Sequence, residues 1–293
     1  MTSDVISSAG ALPLDADVTR PLTARAGAIA VMAGLATGAA AGLIGVGGGE
    51  FRIPVLVQLL GFPLKTAAGV NLVIGLITVL LSVIRRWGQH SWTGDDIALI
   101  AVMSCVSVAG AGLGALGRGK LPLRPLKWFV CVYLIVIGLW MVYEAIADVE
   151  HILMEPSGAA RWLLAAIIAF VIAVASGVLG VAGGEMRIPA LLYLFALPIR
   201  EAGTLSLMVS IPTVAAGAFT DRFLGRIPNV VLLVAVLMGM ASAVGVLIGA
   251  AILPYANSEV IKGLLGVSLL LATVRLTVTS ERSPSRSRPR HEF

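Results

Sequence analysis

The sequence predicts an all-α polytopic membrane protein made of two inverted-topology repeats. About ten helical segments are expected, with a short broken or re-entrant helix after each of two Gly-rich loops. Three observations predict this. The 293 residues are 58% apolar and 13% charged, with a mean hydropathy of +0.98, whereas soluble domains are about half apolar and a quarter charged. The apolar residues form long continuous runs, several near the ~20 residues a helix needs to cross hydrocarbon. They do not show the alternating segments of a membrane β-barrel. Finally, "GLIGVGGGEFRIP" (Gly42–Pro54) and "GVLGVAGGEMRIP" (Gly177–Pro189) lie 135 residues apart and agree at nine of 13 positions.

In chain order, residues 1–24 are a polar N-terminal segment. It lacks the basic region and compact apolar core of a cleaved signal peptide. Repeat 1 covers 25–147, with spanning runs at Ala28–Val46, Ala67–Ile84, Ile97–Leu116 and Trp128–Ile146. The run Ile53–Phe62 is short and covers about half the hydrocarbon at ~1.5 Å per residue. An acidic linker, 148–159, leads to repeat 2 at 160–279, with runs at Trp162–Val181, Leu205–Phe219, Val230–Leu253 and Gly263–Val274. Pro212 has Ile77 as its counterpart, so a kink confined to one half is expected there. The tail, 280–293, is basic and Pro/Ser-rich and predicts disorder. Its arginines read as a cytoplasmic membrane anchor rather than a nucleic-acid site.

The offset of 135 continues beyond the motifs: Pro63 matches Pro198, Lys65 matches Arg200, and Lys127 matches Lys262. Basic loops give the orientation. The stretch 117–127 is rich in Lys and Arg and is placed in the cytoplasm, whereas its counterpart around 253–259 has neither and is placed outside. Arg85 and Arg86 run against this scheme. Inversion requires an odd number of segments per half, and the short run after each glycine loop supplies the fifth.

Three consecutive glycines, Gly47, Gly48 and Gly49, oppose an unbroken helix, and Ala182, Gly183 and Gly184 occupy the matching positions. Backbone freed inside a membrane must face protein or a wet cavity. Pro54 and Pro189 suit the first turn of a following helix, whose free N–H groups attract anions. Two such ends facing one another make an anion cradle. Arg52 and Arg187 add guanidinium forks suited to oxyanions. The alternative is that they pair with Glu50 and Glu185 and neutralise them; both hold if an anion competes for the arginine while the glutamate takes a proton. Glu50 and Glu185 are therefore the proton-coupling candidates. Asn71 and Ser206, at equivalent positions, are either substrate donors or packing contacts. The strings Gly34–Gly42 and Gly110–Gly117 are close-packing faces. Cys105 and Cys131 imply no disulfide framework, and the dispersed His90, His151 and His291 give no metal site. No cofactor is expected.

The repeated Gly-rich loop followed by E-x-R-I-P resembles the TauE/SafE family of membrane permeases from about Ala28 to Val274. The second copy departs from the family pattern at Ala182. The resemblance implies a multi-pass carrier in a bacterial inner membrane, with no ATPase subunit, that exports sulfite or a small organosulfonate. The partners expected are thus a small sulfur-containing anion and membrane lipid, with homodimer packing through Gly/Ala faces and cytoplasmic termini. Two other readings stand beside it: a carrier for another small anion such as a carboxylate or thiosulfate, working inward, and a membrane enzyme. The enzyme reading lacks a catalytic pair within a span, and a non-enzyme is expected.

Overall fold

Helix α1, Ala24–Ile44, is the first element of the computed structural model, which describes residues 24–89, 92–118, 123–147 and 156–281. The polar head, most of the acidic linker, the basic tail and all three histidines lie outside the described residues. The other helices are α2 (Gly49–Pro54), α3 (Leu64–Arg86), α4 (Gly94–Gly117), α5 (Leu123–Ala147), α6 (Gly158–Leu179), α7 (Gly184–Phe195), α8 (Ile199–Phe223), α9 (Leu232–Ile252) and α10 (Ser258–Glu281). No strand occurs among the described residues. Seven of these helices are long and apolar enough to cross a membrane. Their outward faces carry Phe129, Ile146, Phe219 and Met240 in exposed positions. A chain that is apolar outside as well as inside is built for lipid.

The helices are arranged as a two-fold exchange between halves. The most extensive contacts pair α1 with α9 and α4 with α6, and a shift of one half converts each pair into the other. Glycines set these seams. Gly34 lies against Met238, Gly38 against Ser242 and Gly42 against Val246, so α1 and α9 run parallel. On the matching seam Gly110 lies against Phe170 and Gly114 against Val174. A Cβ at these glycines would overlap a facing main chain. Close approach of this kind holds membrane helices together where lipid is as apolar as leucine. The strings Gly34–Gly42 and Gly110–Gly117 are thus close-packing faces between helices of this chain.

Equivalent helices run in opposite directions. In the α3–α8 pair, Gly69 lies against Asp221, Gly75 against Val214 and Gly203 against Arg86. In the α5–α10 pair, Gly138 faces Gly266 and Leu270, and Gly263 faces Ala145. Both pairs are antiparallel, so the halves are inverted with respect to each other. One face of the bundle carries Arg118, Asp221 and the start of α3; the other carries Arg86 and the start of α8.

The expected placement of the two prolines needs correction. Pro54 and Pro189 do not open their helices; the helices start at Gly49 and Gly184, capped by Gly48 and Gly183. Both capping residues adopt left-handed backbone, at φ 65° and 76°, which glycine reaches at little steric cost. The chain can thus turn and begin a helix five residues before the proline. After Pro54 the helix widens, with Leu60 N–H donating to Val55 C=O at 2.9 Å, whereas α7 continues through Pro189 to Phe195. Helix α8 likewise continues through Pro212.

Candidate functional site

The two Gly-rich loops meet. The Gly47 backbone lies directly against the Ala182 methyl, Gly49 packs on Val181, and Gly184 packs on Val46. These contacts leave no room for a solute between the loops themselves. Asn71 braces the junction by donating from Nδ2 to the Gly180 carbonyl at 2.7 Å.

From this junction the acids and the arginines part. Residues two apart on a helix lie roughly 200° apart around its axis. Glu50 and Glu185 face a cavity of about 300 Å³, together with Ile53, Pro54 and Met186. The two glutamates thus reach one space from opposite halves of the chain. Glu185 is 2% exposed, and neither of its oxygens has a donor. Arg52 and Arg187 are fully buried on the opposite side, towards α3 and α8.

The arginines do unequal work. Arg52 donates to the Gly47 and Gly48 carbonyls and, at 2.9 Å, to Thr78 Oγ1. It thereby ties the first loop to α3. Arg187 donates from Nη1 to the Ser206 carbonyl at 3.0 Å and to Ser210 Oγ at 2.8 Å. Its Nε and Nη2 have no partner, and neither has Ser206 Oγ. Arg187 thus keeps buried unmet donors, whereas Arg52 is fully engaged. Neither arginine forms an ion pair with its neighbouring glutamate.

Of the residues singled out in the sequence, Gly47, Gly48, Gly49, Ala182, Gly183 and Gly184 form the junction. Glu50, Glu185 and Pro54 border the cavity. Pro189 borders a neighbouring apolar space. Arg52, Arg187, Asn71 and Ser206 stand behind the loops.

The cavity runs from the glutamates towards the face bearing Lys65, Arg118 and Lys127. Its symmetry counterpart on the other face is bounded by Pro198, Ile199, Arg200, Thr204 and Leu253, and does not reach the glycine junction. The charges differ between the faces. Lys65 and Lys127 have no ion-pair partner among the described residues. Their counterparts are engaged: Arg200 donates to the Ala256 carbonyl at 2.6 Å, and Lys262 lies 3.9 Å from Glu144.

Several residues were not legible as site members. Arg118 donates to the Gly177 and Val178 carbonyls at the end of α6 and pairs with Asp221. Arg226 also binds Asp221, at 2.9 Å. On the other face Arg86, 1% exposed, donates to the Gly42 and Leu43 carbonyls at the end of α1. These are the symmetry-related carbonyls, yet Arg86 corresponds in sequence to Asp221 and Arg118 to Leu253. The signal was a mismatch of charge at offset 135, which a search for identities passes over. It also accounts for Arg86 running against the basic-loop scheme, since Arg86 is a buried helix cap and not a loop charge.

No group of His, Cys, Asp and Glu suited to a metal occurs among the described residues. An inverted pair of five-segment repeats, with broken helices meeting at a charged junction, is the architecture of a membrane carrier. The sulfite exporter TauE/SafE family pattern matches residues 30–276, and the chain belongs to this family of membrane transporters for sulfite and sulfur anions. No curated protein matches the chain.

Proposed function

We propose that the protein is a secondary transporter that exports sulfite or a small organosulfonate across a bacterial inner membrane by alternating access. The observation that carries this reading is the inequality of the two faces. One cavity reaches the glutamate pair at the glycine junction, and its counterpart stops short. The two-fold relation supports a reading in which an alternative state deepens the second cavity and closes the first. Basic-loop orientation puts the deep cavity on the cytoplasmic side, where unpaired Lys65 and Lys127 attract anions.

Arg187 and Ser206 are the donors proposed to meet the anion as it passes the junction, because their buried N–H and O–H groups lack partners and such groups favour an oxyanion. Arg52 holds its loop in shape. Glu50 and Glu185 carry the coupling proton, since both border one cavity and neighbouring carboxylates repel unless one is protonated. Export is assisted by an inside-negative potential, at about 2.3 kcal/mol per charge per 100 mV. Potential-jump flux of sulfite and small sulfonates in proteoliposomes, with and without a pH gradient, tests this. Flux indifferent to both anion types rejects the cargo; flux indifferent to the pH gradient rejects proton coupling.

A further inference from the structure

Resting on the carrier reading above, we infer that the preferred cargo has an apolar body attached to its sulfonate: the geometry points to an alkyl or aryl sulfonate in preference to sulfite. Three observations carry this. The first is size. Sulfite has four non-hydrogen atoms and fills the space of about two or three waters at ~30 Å³ each, whereas the cavity holds about 300 Å³. The second is the wall. Between the lysines at the mouth and the glutamates at the floor, the surface is formed by side chains such as Ile53, Leu134, Val178 and Met186. Water gains little on such a wall, and an apolar body gains by displacing it.

The third observation is continuity. A second cavity of about 390 Å³ lies between α5, α6 and α7, and Val130 and Met186 border both spaces. Its lining, which includes Ile137, Ile168 and Ala190, has no charged residue, and the exposed Phe129 and Val171 at its rim open it towards the lipid-facing surface. The cations Lys65, Arg118 and Lys127 border only the first cavity. A sulfonate head therefore stays beside the cations, and a longer chain reaches past Val130 and Met186 into the second space. This charge separation fits one amphiphilic molecule better than two separate ligands.

The test is a homologous series. Linear alkanesulfonates of one to six carbons compete with labelled methanesulfonate for counterflow in proteoliposomes. Protein-free liposomes measure leakage and partition. Half-inhibitory concentration is expected to fall by about two- to fourfold per added methylene, fourfold being the ratio that ~0.8 kcal/mol per buried CH₂ gives. Val130→Phe narrows the passage between the cavities and is expected to flatten the series beyond the short members. A wild-type series that is flat or rises with chain length, while methanesulfonate is still carried, overturns the apolar-body inference alone. Counterflow with neither sulfonates nor sulfite overturns the carrier reading on which it rests.

Discussion

Gly47 and Ala182 occupy equivalent positions in the two halves and touch each other across the centre of the molecule. A Cβ on Gly47 would overlap the Ala182 methyl. One methyl group fits at this contact and two do not, so the departure of the second motif from the family's glycine is accommodated by the glycine opposite. Gly47→Ala is expected to destabilise the protein by about 1–3 kcal/mol through overpacking and to slow transport. Gly47→Ala combined with Ala182→Gly moves the methyl to the other loop and is expected to recover most of the loss. Thermal unfolding and flux of the two single variants and the double variant measure the coupling.

The arginines should separate by phenotype. Arg52→Lys loses the fork that holds two loop carbonyls and Thr78, and is expected to cost about 2–4 kcal/mol of stability. Arg187→Lys leaves its loop carbonyls untouched, so its main effect is expected on substrate half-saturation, by about tenfold. Thermal melts beside flux curves decide, and equal loss of stability in both variants contradicts the division of labour.

The glutamate pair should set the response to a pH gradient. Glu185→Gln is a permanent mimic of the protonated carboxyl. Substrate binding is expected to persist while the ratio of flux with and without the gradient falls towards one. Persistence of that ratio in Glu50→Gln, Glu185→Gln and the double variant removes the pair from the coupling step.

Equivalent lysines should differ. Lys127→Gln removes an unpaired charge at the cavity mouth and is expected to lower the initial export rate about two- to tenfold, more at low salt. Lys262→Gln removes the cation beside Glu144, which retains donors from Trp140 and Tyr193. Its expected effect is a loss of about 1–2 kcal/mol in stability with a smaller change in rate. Initial rates across ionic strengths, with parallel melts, distinguish the two.

The inversion predicts labelling. In a background without Cys105 and Cys131, single cysteines at Gly88 and Phe223, both exposed, should react from opposite sides of sealed vesicles. Reaction from the same side contradicts the membrane orientation.

The repeat, the number of segments and the breaks were legible in the sequence because they rest on composition and on identities at a fixed spacing. Side-chain direction was less so. The E-x-R motif reads as one charged unit, but helical geometry sends Glu50 towards the cavity and Arg52 into the protein, about half a turn away. The start of α2 was misplaced for a similar reason: Pro54 marks a permitted first turn, whereas the left-handed backbone of Gly48 is what starts the helix. The Arg118–Asp221–Arg226 cluster was hidden because it joins residues about 100 apart in the chain. Its counterpart, Arg86, reaches the matching carbonyls from a different position in its repeat.

The exchange of partners between halves has a consequence for synthesis. Helix α1 finds its seam on α9, which begins at Leu232, so roughly 190 residues must follow Ile44 out of the ribosome before the two can join. At ~5–20 residues per second that is a wait of about 10–40 seconds. During it the edge formed by Gly34, Gly38 and Gly42 is unmatched in the bilayer. Helix α4 meets α6 far sooner. The first half is thus inserted early and completed late, and a chain halted before α9 leaves its first helix as an exposed mark for quality-control proteases.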